Sequence, residues 1–116
     1  MKDNHRVLRV EKELQRVVSQ YILRNLSGEL PAIVSLSRVQ SNRELKQADV
    51  FFTVLGSPDD REPCLNILND RLPEIQRYLG KELEFRHTPK IRFQIDKGFD
   101  HMLKIEGLFR EIETKN

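Results

Sequence analysis

Tryptophan is absent, and the 116 residues contain one cysteine, Cys64. A lone cysteine excludes an internal disulfide and any zinc site built on cysteine pairs, so the expectation is a reduced, cytoplasmic protein. Nothing approaches the roughly 20 apolar residues needed to cross a bilayer; the longest uncharged apolar run is Val50–Leu55. No apolar run follows Met1–Arg6, and the acids Asp3, Glu11 and Glu13 come early. Neither a secretory signal nor an organelle presequence is therefore expected. Histidine is scarce as well: His5, His87 and His101 are scattered, none with a second His or Cys at ligand spacing. Gly80-Lys81 lacks the earlier glycine and the following Ser/Thr of a phosphate loop. Cys64, near a helix start but without a partner, reads as a buried spectator and not a nucleophile. These absences leave no catalytic constellation, no metal site and no cofactor motif, and an enzyme is not expected.

What is present is a highly charged chain that still has a core. Hydrophobic residues make up 38% and charged residues 33%, an apolar share that strongly disordered chains lack. The length suits one domain, residues 1–116, and is too short for two good cores. Net charge is only +2, but its distribution is uneven. Residues 1–26 carry six Lys/Arg against three acids, and Arg71–Arg92 another six against three. The intervening stretch has four against seven, and the tail after Arg92 four against five. If folding joins the two basic blocks they make one positive face; apart, they are ordinary solvated helix surfaces.

The first element is a helix. Val7, Val10, Leu14, Val17, Val18, Tyr21 and Ile22 form an apolar stripe, while Arg6, Arg9, Glu13, Arg16, Gln20 and Arg24 form a polar one. Ser27-Gly28 is expected to end it, with Gly28 in a left-handed cap. Two strands follow, Ile33–Val39 and Ala48–Leu55, with a hairpin-length connection that predicts antiparallel pairing. Ala48, Val50, Phe52 and Val54 point one way; Phe51 faces the other, as a stacking platform or under a partial cover. After the turn at 56–60, Leu65, Leu68, Leu72, Ile75 and Leu79 form a helical stripe, with Pro63 in its first turn. Pro73 interrupts it, predicting two helices joined at a kink at Arg71-Leu72-Pro73, with Leu72 pushed out of α geometry. Gly80 marks the last turn. Ile91, Phe93 and Ile95 give a third strand, and a final helix is expected from Asp100 to about Ile112. The order α-β-β-α-kink-α-β-α is an α+β fold, a three-stranded sheet packed by helices.

A broken helix pair on such a sheet matches one RNA-binding arrangement, the KH domain, where a short loop between two helices approaches a nucleic-acid backbone. The helix after the kink begins with free N–H groups that favour a phosphate, with Arg71, Arg77 and Lys81 nearby. A purely structural break explains the kink equally well.

Family resemblance shifts the balance between these readings. Leu79-Gly80-Lys81, then Arg86, then Pro89 two residues before Ile91, with Phe93 and Asp96 at fixed offsets, resembles the most recognisable segment of ribosome-binding factor A. Asn42–Val50 is similar to that family's hairpin and second strand, where Ser/Asp-Leu-x-x-Ala-x-Val is usual; Glu44 stands where the family has Asp. With the basic N-terminal helix, the resemblance spans roughly His5 to Ile112. It implies a type II KH-like domain that binds the small (30S) ribosomal subunit, assists late maturation of 16S rRNA, is linked to growth in the cold and has no catalytic activity. The family's kink usually reads Ala-x-Gly; here it is Arg71-Leu72-Pro73, so RNA contact there would lean on side-chain charge. The expected RNA-binding residues are Arg6, Arg9 and Arg16 in the first block and Arg71, Arg77, Lys81 and Arg86 in the second. The expected partners are the 30S subunit and 16S rRNA, with no membrane and no DNA, and the expected state is a monomer. A KH-like domain for another single-stranded RNA, or a module for an acidic protein, are the alternatives.

Overall fold

The computed structural model of the protein describes residues 2–98. Helix α1 (Lys2–Tyr21) buries Val10, Leu14, Val17 and Val18, the stripe its periodicity defines. It does not stop at Tyr21 but widens into a π-helical turn over Ile22–Leu26, which keeps Ile22 and Leu26 in the core. The left-handed Gly28 cap is corrected: no glycine among the described residues has a positive φ. The Leu26 carbonyl accepts from the N–H groups of both Glu29 and Leu30 at 3.0 Å. The last carbonyls thus find partners without a left-handed residue.

Strands β1 (Ile33–Ser41) and β2 (Gln47–Leu55) pair antiparallel, with Ile33 opposite Leu55 and Ser41 opposite Ala48. Ala48, Val50 and Phe52 are buried as the alternation requires. Strand β3 (Lys90–Ile95) lies on the far side of β2 and runs parallel to it, giving the order β1-β2-β3. A parallel neighbour needs a long crossover, and helices α2 (Arg61–Asp70) and α3 (Leu72–Glu82) supply it. Phe52 and Phe93 meet edge to face beneath them, centroids 6.4 Å apart. Cys64 is fully buried in this core, and burial pushes its thiol up, away from a reactive thiolate.

The helix break is real but falls on Arg71 (φ −91°, ψ −1°). Leu72 already belongs to α3, which corrects the expectation that it leaves α geometry. Pro73 sits in the first turn of α3, where a proline lacks nothing the helix needs, so only the preceding junction has to open. Through β3 the α+β order is as expected and compatible with the type II KH-like arrangement. The helix expected over Asp100–Ile112 lies outside the described residues.

Both free edges of the sheet are held by helix side chains. The Glu11 carboxylate accepts from the Ser41 N–H at 2.7 Å, and Gln15 Nε2 donates to the Leu36 carbonyl at 3.4 Å. On the other edge, Gln76 accepts from the Ile91 N–H at 3.0 Å and donates to the Pro89 carbonyl at 2.8 Å. On the outer face, the Arg38 guanidinium covers the Phe51 ring at 4.1 Å from its centroid. Phe51 is therefore partly covered, from within its own sheet.

Candidate nucleic-acid interface

The two basic blocks become neighbours because α1 packs beside α3. Tyr21 of α1 rests on Tyr78 of α3 with ring centroids 5.1 Å apart. Further along, Arg16 lies within electrostatic reach of Glu82 and Tyr78. Each helix buries one stripe and leaves its basic stripe in solvent: Arg6, Arg9 and Arg16 on α1, Arg77 and Lys81 on α3. Arg77 and Lys81 are four residues apart and so share one face of α3. Arg86 follows on the 83–89 connection, also exposed.

The seven expected cations are not equivalent. Arg6, Arg9, Arg77, Lys81 and Arg86 make no ion pair among the described residues. Arg16 is bound to Glu13 at 2.7 Å, which holds the Glu13 carboxyl low and raises the guanidinium. Arg71 is engaged twice, with Glu29 at 2.6 Å and Glu74 at 3.2 Å. Glu74 also accepts from the Tyr21 hydroxyl at 3.2 Å; burial first, and this carboxylate second, push the Tyr21 phenol up. This network fastens the end of α1 to the kink. Pro73, without an N–H, and the acid Glu74 fill the first turn of α3, so a carboxylate already stands at its positive end.

Arg6 and Arg86, one from each block, line a single groove of about 360 Å³ together with Leu45, Phe85 and Pro89. Sequence reasoning placed the two arginines in the site but not the apolar residues that line the groove with them. Leu45 is the only non-glycine with a positive φ among the described residues, at 57°, a conformation costing a leucine roughly 1–2 kcal/mol. Asn42 enforces it: its Oδ1 accepts from the N–H groups of Lys46 at 2.9 Å and Gln47 at 3.3 Å, and its carbonyl accepts from the Leu45 N–H at 3.1 Å. The asparagine was the available signal, since its side chain readily substitutes for backbone in turns. Among the described residues no cluster of His, Cys, Asp and Glu suits a metal, and no helix is long and apolar enough to cross a membrane.

Comparison with known proteins gives the same direction throughout. The profile of the ribosome-binding factor A family matches residues 6–109. The chain is 35% identical over 115 residues to ribosome-binding factor A of Bdellovibrio bacteriovorus, covering 99% of this chain and 86% of that one. Among solved structures, a Thermotoga maritima protein described as a ribosome binding factor A superposes with a TM-score of 0.66 at 31% identity, covering 80% of this chain and 89% of that one. A homology model of the Thermus thermophilus ribosome binding factor A, as fitted into the cryo-EM map of a 30S complex, shares the fold (TM-score 0.63, 16% identity, 76% and 92% covered). With a family profile spanning nearly the whole chain and a relative above 30% identity along its length, the chain belongs to the ribosome-binding factor A family.

Proposed function

We propose that the chain is a single non-enzymatic RNA-binding domain, residues 1–116, that binds the small (30S) ribosomal subunit through 16S rRNA and assists late maturation of that RNA. The observation that carries this reading is the juxtaposition of two basic blocks on α1, α3 and the 83–89 connection, with five cations unpaired among the described residues. Free guanidinium and ammonium groups on neighbouring segments of a nearly neutral protein favour phosphates and direct the approach to them. The Thermus relative seated on a 30S particle supports the same partner. A cytoplasmic monomer goes with this role, and the occupied sheet edges, held by Glu11, Gln15 and Gln76, favour the monomer.

Within this reading Arg77 and Lys81 contribute more than Arg71 and Arg16, whose charges are shared with carboxylates of their own chain. The test is binding of Arg77→Ala/Lys81→Ala to purified small subunits across a salt series. Each lost phosphate contact removes about 0.7–0.9 from the slope of log K against log salt, so the double variant should bind more weakly with a slope shallower by about 1.4–1.8. Unchanged affinity and slope would take both residues out of the interface.

A further inference from the structure

The groove between Arg6 and Arg86 continues into a second. This neighbour, of about 640 Å³, is lined by Lys46, Gln47 and Lys90 and shares Glu44, Leu45 and His87 with the first. Together they form one channel where the β1–β2 hairpin faces the 83–89 connection. Its inner wall is apolar: Pro89 is fully buried, and Leu45 and Phe85 pack on the core with part of their surface still open. Its rim is charged, with Arg6, Arg86, Lys46 and Lys90 against Glu44 and Glu84, and Lys46 lies 3.5 Å from Glu44.

We propose that this channel takes a short single-stranded stretch of RNA. One unpaired base lies against Phe85 and Leu45; the flanking phosphates are held by Arg6 and Arg86 on one side and Lys90 on the other. An aromatic wall between cations is the combination that binds single strands, because every base offers a π-face and every linkage a charge. A duplex hides its base faces, and an acidic peptide carries charge but no base to lie against the apolar wall. The strained Leu45 fits the assignment, since enforced strain of this kind gathers at ligand sites. The channel is distinct from the kink. It lies beyond the end of α3 and Arg71 before its start, about 16 Å apart along an 11-residue helix.

This inference rests on the RNA-binding reading, and the experiment separates the two. Fluorescence anisotropy with 5′-fluorescein decauridylate, and sedimentation with purified small subunits, are measured for the parent, Arg6→Ala/Arg86→Ala and Arg77→Ala/Lys81→Ala. Arg6 and Arg86 are exposed and unpaired among the described residues, so the first variant should melt like the parent. It should bind decauridylate at least about tenfold more weakly, with a salt slope shallower by about 1.4. Decamers carrying 4-thiouridine should crosslink within residues 42–47 and 83–90. If Arg6→Ala/Arg86→Ala binds both probes like the parent while Arg77→Ala/Lys81→Ala loses the subunit, the channel assignment is overturned and the function stands. Crosslinks elsewhere, or preference for a ten-base-pair duplex over the single strand, also overturn the channel. A parent that binds neither probe removes the function and the channel together.

Discussion

Gln76 illustrates how one polar side chain fixes the position of a strand. The N–H of Ile91 points away from β2, at the free edge of the sheet, and Gln76 accepts its hydrogen bond while donating to the Pro89 carbonyl. Truncating this residue leaves two partly buried backbone groups without partners, which costs about 1–3 kcal/mol. Gln76→Ala should therefore lower the stability read from urea unfolding by that amount, and a midpoint equal to the parent's would show that water replaces the side chain at no cost. None of this was legible in the sequence, where Gln76 is one more polar residue on a helix face. The same holds for Arg71. Its charge was visible, but its partner Glu29 lies 42 positions away and only the fold brings them together. Leu45 was hidden for a different reason: leucine disfavours a left-handed backbone, and it is Asn42 that imposes it.

At the scale of elements the apolar stripes were fully readable. Val10, Leu14, Val17 and Val18, and again Leu68, Ile75 and Leu79, are buried where helical spacing puts them. Proline chemistry likewise announced the break between α2 and α3 around Arg71, though not that Leu72 stays helical. Two features escaped because they depend on backbone pairing and not on periodicity: the parallel run of β3 along β2, and the bulge in β1 between Leu36 and Arg38. Both meet at Asp96, which extends β3 by one residue. Its N–H donates to the Phe52 carbonyl at 2.8 Å, and its carboxylate accepts from the Ser37 hydroxyl at 2.6 Å. The Ser37 bond first, then the Gly98 N–H, with Arg38 at 3.8 Å assisting, hold the Asp96 carboxyl below its ordinary value. A carboxyl with a lowered folded-state pKa stabilises in its ionised form. Its contribution is complete above about pH 4 and is lost as pH falls through the folded value. Asp96→Asn should accordingly give a stability profile flatter than the parent's as pH falls below about 4. Equal slopes in that range would mean that Asp96 does not link the three strands.

For the whole molecule, a net charge of +2 conceals an ordered separation. On the outer face of the sheet cations meet anions, as Arg92 meets Asp49 at 3.0 Å and Arg38 lies near Asp96. Along α1 and α3 most cations stay unpaired among the described residues. The two blocks were countable in the sequence, and so was the condition that folding must join them; the packing of Tyr21 on Tyr78 meets that condition. Which cations remain free was not legible, because it depends on acids such as Glu29 and Glu74 supplied from separate segments. The central claim is that this side holds the small ribosomal subunit through phosphates. Its most direct test is sedimentation of the tagged protein through sucrose gradients of cell lysate at low and high salt. Co-migration with free small subunits but not with translating ribosomes, lost at high salt, is the predicted result. A protein that stays at the top of both gradients would contradict it.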